Sequence, residues 1–179
     1  LCLEQKLIPG LPGIRFSVEG LEYRPKSPVH DGIRPVVGVL GEEQQRILTN
    51  AGVPARRIIV GHSCLSTDFN YHQRIIRDGS YLGFDRFGMP GMPDEVRAES
   101  LLKLIVAGYA TRLFVSHDSV WHWVGGPTLG VGAYKNWKPT NFFERIIPML
   151  EYGGATDEQI ATILSDNPRR FFTRDKTSP

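Results

Sequence analysis

The stretch RLFVSHD (residues 112–118) runs from an apolar segment directly into three polar residues, Ser116, His117 and Asp118. The stretch RRIIVGHS (residues 56–63) has the same design and ends in Gly61-His62-Ser63. Short apolar runs that stop in this way are typical of strands buried on both faces of a parallel sheet. The residues that follow such strands lie at the carboxyl edge of the sheet, where α/β proteins bind their ligands.

Segments with helical patterns separate these strands. A third strand, SYLGFDRFG (80–88), ends in Asp85-Arg86. Proline interrupts helices, so the last helix is expected to stop at Pro168. Apolar strands that alternate with amphipathic helices predict βαβ units and an α/β fold with parallel strands and flanking helices. The predicted helices are GEEQQRILTNAG (41–52), TDFNYHQRIIRDG (67–79, capped by Thr67 or Asp68), PDEVRAESLLKLIVAGY (93–109), PTNFFERIIPMLEYGG (139–154) and TDEQIATILSDNPRRFF (156–172).

Composition narrows the class of protein. The 179 residues are 41% hydrophobic and 22% charged with a net charge of +2, which is ordinary for one soluble globular domain. Basic residues are not interleaved with aromatic ones, so no nucleic-acid partner is expected, and no apolar run is long enough to cross a membrane. Two cysteines exclude a disulfide scaffold and favour a cytoplasmic setting. Residues 1–35, rich in proline and glycine, are predicted to be irregular, with short extended pieces at best, such as residues 14–18. Residues 36–179 are predicted to form the α/β domain.

The strand ends carry the candidate chemistry. Adjacent residues on a strand point to opposite faces, so of His117 and Asp118 the carboxylate is the better candidate for the interior. An imidazole and a carboxylate from different strand ends suit a divalent metal with an open position for water. The alternatives are ordinary ones: His62 as a polar loop residue, Asp118 as a helix cap and Arg86 as part of a surface ion pair. Motifs for a serine nucleophile or a nucleotide cofactor are missing from the sequence.

Four motifs, spread from about residue 41 to 172, resemble the C-terminal half of the phosphotriesterase-related family of the amidohydrolase superfamily. They are GEEQQRIL…AGV…RRIIVGHS, DGSYLGFDRFGM, RLFVSHDS and FFERIIPMLEYGGATDEQIATILSDNPRRFF. The second is closest to the lactonase-like branch. The resemblance implies a partial (β/α)8 TIM barrel corresponding to roughly the last three to four βα units.

The resemblance also implies an activity and a set of roles. His62 matches a metal ligand, and Asp118 matches a metal ligand that also accepts a proton. Arg86 matches a residue of the substrate pocket, and Trp121 and Trp123 would line it from the long loop after the last strand. The expected cofactor is a divalent metal, zinc, in a two-metal site. The expected reaction is hydrolysis of a small-molecule lactone, carboxyl ester or phosphotriester by a metal-bound hydroxide.

Some of the family's pattern is missing. The chain has no H-x-H pair and no lysine at the end of an N-terminal strand, and His30 is the only candidate for a third ligand. One explanation is that the chain is a fragment of a metal-dependent hydrolase; the other is a non-catalytic α/β binding or assembly module derived from the same barrel. Three or four strands cannot close an eight-stranded barrel, so open edges would favour a homodimer, and this chain alone is expected to bind metal weakly and turn over slowly.

Overall fold

A four-stranded parallel sheet organises the protein in the computed structural model, which describes residues 15–16, 40–119 and 135–173. The strands lie side by side in chain order: β1 (Arg15–Phe16), β2 (Ile58–Val60), β3 (Tyr81–Phe84) and β4 (Leu113–Val115). Ile59 pairs with Tyr81, and Leu82 pairs with Leu113. The three strands predicted from their apolar runs are confirmed, and apart from β1 the segment 1–35 lies outside the described residues.

Helices connect the strands and cover the sheet. They are α1 (Leu40–Asn50), α2 (Phe69–Arg77), α3 (Asp94–Leu104), α4 (Ile147–Tyr152), α5 (Asp157–Ala161) and α6 (Asn167–Phe172). Asp68 caps α2 through its side chain, which accepts hydrogen bonds from Asn70 N at 2.9 Å and Tyr71 N at 3.1 Å. Thr156 and Gln159 form a capping box at the start of α5. Within the described ranges, no helix is both long and apolar enough to cross a bilayer.

The last helical segment does not stop at Pro168 as predicted. It continues from α5 through a π-helical turn, Thr162–Asp166, into α6, which ends at Phe172. Pro168 lies at the start of α6, directly after that wider turn. A proline at the beginning of a helical segment needs no backbone N–H donor, so the chain passes through it without losing a required hydrogen bond.

The two faces of the sheet pack against different groups. Alternate strand residues, including Val60, Leu82 and Leu113, face the main core formed with the helices. The other face carries Ile59, Tyr81 and Phe114, which pack with Phe171 from α6. The Tyr81, Phe114 and Phe171 rings meet edge to face, with centroids 5.1–5.6 Å apart. Phe171 therefore joins α6 to three strands on this face of the sheet.

Candidate active site

His62 is held at the carboxyl end of β2 by a carboxylate from the next strand. Its ring Nδ1 lies 3.0 Å from Asp85 Oδ1, and its backbone N–H donates to both Asp85 carboxylate oxygens at 3.2 and 3.1 Å. Asp85 directly follows β3. Both side chains are largely shielded from water, with 12% and 16% of their surface exposed. This carboxylate therefore fixes both the backbone and the ring of His62 in one orientation.

The second ring nitrogen of His62 faces a guanidinium group. Arg86 Nη2 lies 3.0 Å from His62 Nε2. Arginine has donors and no acceptor, so His62 Nε2 must accept with its lone pair. The ring proton is then on Nδ1, where it donates to Asp85. A histidine with this tautomer and this partner carboxylate is arranged as metal-binding histidines are in proteins.

Asp118 approaches the same guanidinium from the end of β4. Its Oδ2 atom lies 3.3 Å from Arg86 Nε. His117 is exposed, and its Nδ1 accepts a hydrogen bond from Ser119 N at 3.0 Å, on the other side of the chain. The structure thus brings His62, Arg86 and Asp118 together and leaves His117 out. Both His117 and Asp118 lie beyond the end of β4, so strand alternation is not what separates their side chains.

The backbone is unusual at both ends of this arrangement. His62 and Asp118 have φ angles of 57° and 44°, and among the described residues they are the non-glycine residues with positive φ. This region of backbone conformation is sparsely populated for ordinary residues and is retained where surrounding contacts determine it. Strand periodicity does not predict this backbone conformation, which turns both side chains toward Arg86.

Two buried groups lie behind the site. His72 on α2 is buried, and its Nε2 donates to Ser63 O at 2.9 Å, which holds the turn that follows His62. Burial lowers the pKa of the His72 ring, so the neutral form is favoured. Burial, with the nearby Asp85 charge, raises the pKa of the Cys64 thiol to about 12. Both groups are therefore uncharged supports of the site.

The loop that carries Arg86 is anchored by a buried carboxylate on α3. Asp94 accepts hydrogen bonds from Gly88 N at 2.6 Å, Arg97 Nη1 at 3.2 Å and Asn141 Nδ2 at 3.0 Å. Arg97 also donates to Met89 O at 2.9 Å. Asp94 therefore connects the loop after β3 to the chain that returns after β4.

The donor atoms at the site fit a cation. The imidazole nitrogen of His62 and a carboxylate oxygen of Asp118 converge on the positive group of Arg86, and nitrogen and oxygen donors of this kind bind divalent metals. Within the described residues, no group of three or more histidine, cysteine, aspartate or glutamate side chains could hold a metal ion. The other predicted site residues, His30, Trp121 and Trp123, lie outside the described residues.

Sequence reasoning placed Asp85 at the correct edge of the sheet but gave it no role. The signal was present: a carboxylate directly after a strand, 23 positions beyond a histidine in the same position on the neighbouring strand. Because neighbouring parallel strands bring such residues together, their pairing could have been predicted. The role of Arg86 as a bridge between two strand ends depends on its rotamer and has no such signal.

Comparison with known proteins identifies the family. Residues 26–172 match the model of the phosphotriesterase family. A phosphotriesterase homology protein of Mycobacterium tuberculosis is 36% identical over 177 residues, covering 96% of this chain and 53% of that protein. An aryldialkylphosphatase of Saccharolobus solfataricus is 36% identical over 137 residues, covering 74% and 44%.

Solved structures agree with this assignment. The phosphotriesterase from M. tuberculosis matches with a TM-score of 0.70 and 39% identity over 75% of this chain and 42% of that one. The organophosphorus hydrolase from Deinococcus radiodurans matches with a TM-score of 0.70 and 38% identity over 76% and 43%. The chain spans about half the length of the curated relatives it matches. It belongs to the phosphotriesterase family, as its motifs predicted.

Proposed function

We propose that this chain carries part of the active site of a metal-dependent hydrolase, built on the last three to four βα units of a (β/α)8 barrel. One observation carries the proposal: His62 Nε2 and an Asp118 carboxylate oxygen converge on a single cationic group at the carboxyl ends of a parallel sheet. Ligand sites of parallel α/β folds lie at this edge. Membership of the phosphotriesterase family supports the same reading.

The residues of the site would have two tasks, which are binding the metal and accepting a proton. His62 and Asp118 would hold the metal, with Asp85 orienting the imidazole through its Nδ1–H. A divalent metal such as zinc supplies Lewis acidity and lowers the pKa of water. Asp118 would accept the proton released when water attacks the substrate. Arg86 would hold an oxygen of the substrate, and Trp121 and Trp123 would form an apolar wall.

Names of relatives suggest the substrate class. One relative is named an aryldialkylphosphatase. One matching structure comes from the engineering of organophosphate hydrolysis activity into a weak promiscuous lactonase. Phosphotriesters, lactones and carboxyl esters share an electrophilic centre with an oxygen that a cation can polarise. We therefore propose a small-molecule lactone, ester or phosphotriester as the substrate.

A specific observation favours the alternative, a non-catalytic binding or assembly module. Only four strands are present in the described part of the chain, and the outer side of β4 pairs with no described strand. Four strands cannot satisfy the geometry of an eight-stranded barrel, and an open strand edge pairs readily with another chain. A homodimer is the assembly this alternative predicts, and sedimentation of the purified chain at several concentrations measures it.

Metal titration separates the two functions. The 179-residue chain, stripped with a chelator, is titrated with Zn²⁺ against a chromogenic competitor, alongside His62→Ala and Asp118→Asn. The hydrolase proposal predicts weak saturable binding that both substitutions abolish. Glu95→Gln serves as the control, because Glu95 is an exposed carboxylate on α3 that pairs with Arg145. Binding that survives both site substitutions, or no binding at all, would favour the non-catalytic module.

A further inference from the structure

We propose that the Arg86 guanidinium group and a divalent metal ion compete for one lone pair, that of His62 Nε2, so that a metal binds His62 only by displacing Arg86 from this nitrogen. The inference rests on the proposed function, because it assumes that His62 and Asp118 are the donors for the metal. It goes beyond that function by assigning Arg86 a second role: an internal cation that regulates occupancy of the site.

The contacts of Arg86 use the lone pairs a metal needs. Its Nη2 donates to His62 Nε2 at 3.0 Å, and its Nε lies 3.3 Å from Asp118 Oδ2. A ring nitrogen has one lone pair in the ring plane, so it cannot serve a hydrogen-bond donor and a metal at once. Occupancy of the site by Arg86 and by a metal is therefore mutually exclusive at His62.

Burial decides how strongly Arg86 competes. The side chains of His62 and Arg86 are 12% and 18% exposed, so water competes little for their hydrogen bond. Asp118 is 37% exposed, which weakens its ion pair with Arg86 through solvent screening. In addition, Arg86 Nε is buried and has no well-aligned hydrogen-bond acceptor. The shielded hydrogen bond to His62 thus opposes metal binding, whereas the weak contact with Asp118 allows the guanidinium to be displaced.

The exchange would couple metal binding to substrate binding. An Arg86 displaced from His62 has an Nη2 donor free beside the site, suited to an oxygen of a lactone, ester or phosphotriester. The contact between His62 Nδ1 and Asp85 lies on the opposite side of the ring and is unaffected by the exchange. Metal loading would therefore change the partner of Nε2 while leaving the imidazole in place.

Zinc affinity measures the competition directly. The full chain, stripped of metal, is titrated with Zn²⁺ against a chromogenic chelator for the wild type, Arg86→Met and Arg86→Lys. Because a hydrogen bond to a charged group contributes on the order of 1.5 kcal/mol, we expect Arg86→Met to tighten zinc binding about tenfold. Arg86→Lys keeps the charge with fewer donors and is expected to fall between the two.

Arg145→Met is the matched control. Arg145 is a partly exposed arginine whose contacts are Asp94 and Glu95, so its substitution removes one positive charge without touching His62. Zinc affinity of this variant should stay close to that of the wild type. A gain as large as that of Arg86→Met would show that overall charge, and not displacement, controls affinity, and would overturn the inference.

Nitrogen NMR of the His62 ring supplies a readout independent of affinity. In metal-stripped wild type the Nε2 signal should be that of a hydrogen-bonded acceptor, and Arg86→Met should shift it while leaving the Nδ1 signal in place. Unchanged zinc affinity and an unchanged Nε2 signal in Arg86→Met would overturn this inference alone, provided His62→Ala still abolishes binding. Zinc binding that is insensitive to His62→Ala would instead overturn the proposed function.

Discussion

The buried carboxylate of Asp94 offers the sharpest test of what holds the site in shape. Asp94 is 6% exposed, and its partner Arg97 is wholly buried. The substitution Asp94→Asn keeps the size of the side chain and removes its charge. The positive charge of Arg97, only 3.2 Å away, would then remain in the interior without its counter-charge.

The expected loss of stability follows from these contacts. Removing one partner of a buried ion pair costs about 3–5 kcal/mol in the free energy of unfolding. An asparagine oxygen can still accept one hydrogen bond, from Gly88 N or Asn141 Nδ2, which places the expected value near the lower end, about 3 kcal/mol. Arg145, which is 3.5 Å from Asp94 and 31% exposed, contributes little because solvent screens it.

Urea unfolding followed by far-UV circular dichroism measures this loss. The neighbouring substitution Glu95→Gln is the control, because Glu95 is 64% exposed and should change the free energy of unfolding by less than about 0.5 kcal/mol. The double variant Asp94→Asn/Arg97→Met removes both charges and should lose clearly less stability than the sum of the single variants.

Two results would refute this reasoning. A loss below about 1 kcal/mol in Asp94→Asn would show that Arg97 finds other compensation for its charge, contrary to the penalty expected for a buried unpaired ion. Strict additivity in the double variant would show that Asp94 and Arg97 are not coupled. Either outcome would remove Asp94 as the anchor of the loop that carries Arg86.

Three further predictions test other parts of the structure. Gly88→Ala should lose more than about 1 kcal/mol in urea unfolding, because Gly88 has a φ of +83° and an added Cβ would lie 2.0 Å from Asn136 O. Gly91→Ala, with a φ of +100° and open space, is the control; equal losses would exclude the steric contact. Burial lowers the pKa of His72 in the folded protein below its ordinary value of about 6.5. The contribution of this ring to the free energy of unfolding is therefore fully present above about pH 6.5 and is lost as the pH falls toward the folded pKa, by at most about 1.4 kcal/mol per pH unit. His72→Gln should flatten this pH dependence in thermal melts, and an unchanged slope would contradict the assignment. Cys64, with a thiol pKa of about 12 and no exposed surface, should react with a thiol reagent in a Cys2→Ser background only after unfolding; rapid native labelling would contradict its burial.

Local patterns predicted the elements that local physics determines. The apolar runs ending at Val60 and Phe84 are strands because residues buried on both faces need no polar alternation. The run ending at Val115 is a partly buried strand of the same sheet. The cap at Asp68 forms because its side chain reaches the backbone N–H groups of Asn70 and Tyr71. These features depend on neighbours in the sequence, and the sequence therefore predicted them.

Features that depend on distant partners were not predicted. Acidic residues in the first turn of a helix usually stay in water beside the helix dipole, yet Asp94 is buried because its partner Asn141 arrives from 47 positions away. Arg86 was expected in a substrate pocket, and its contact with His62 depends on a side-chain conformation. The two-residue strand β1 lies within the extended piece expected at residues 14–18, but its pairing with β2 depends on a strand distant in the sequence and has no local signal.

The packing of Phe171 against the sheet has a consequence for how the protein is made. Phe171 packs with residues of β2, β3 and β4, and Arg57, directly before β2, donates to its carbonyl oxygen across 114 positions. A ribosome delivers the chain from the amino end at about 5–20 residues per second, so Ile59, Tyr81 and Phe114 emerge seconds before their partner. One face of the nascent sheet therefore stays uncovered during synthesis, and chaperone binding to stalled chains should fall once Phe171 has left the exit tunnel.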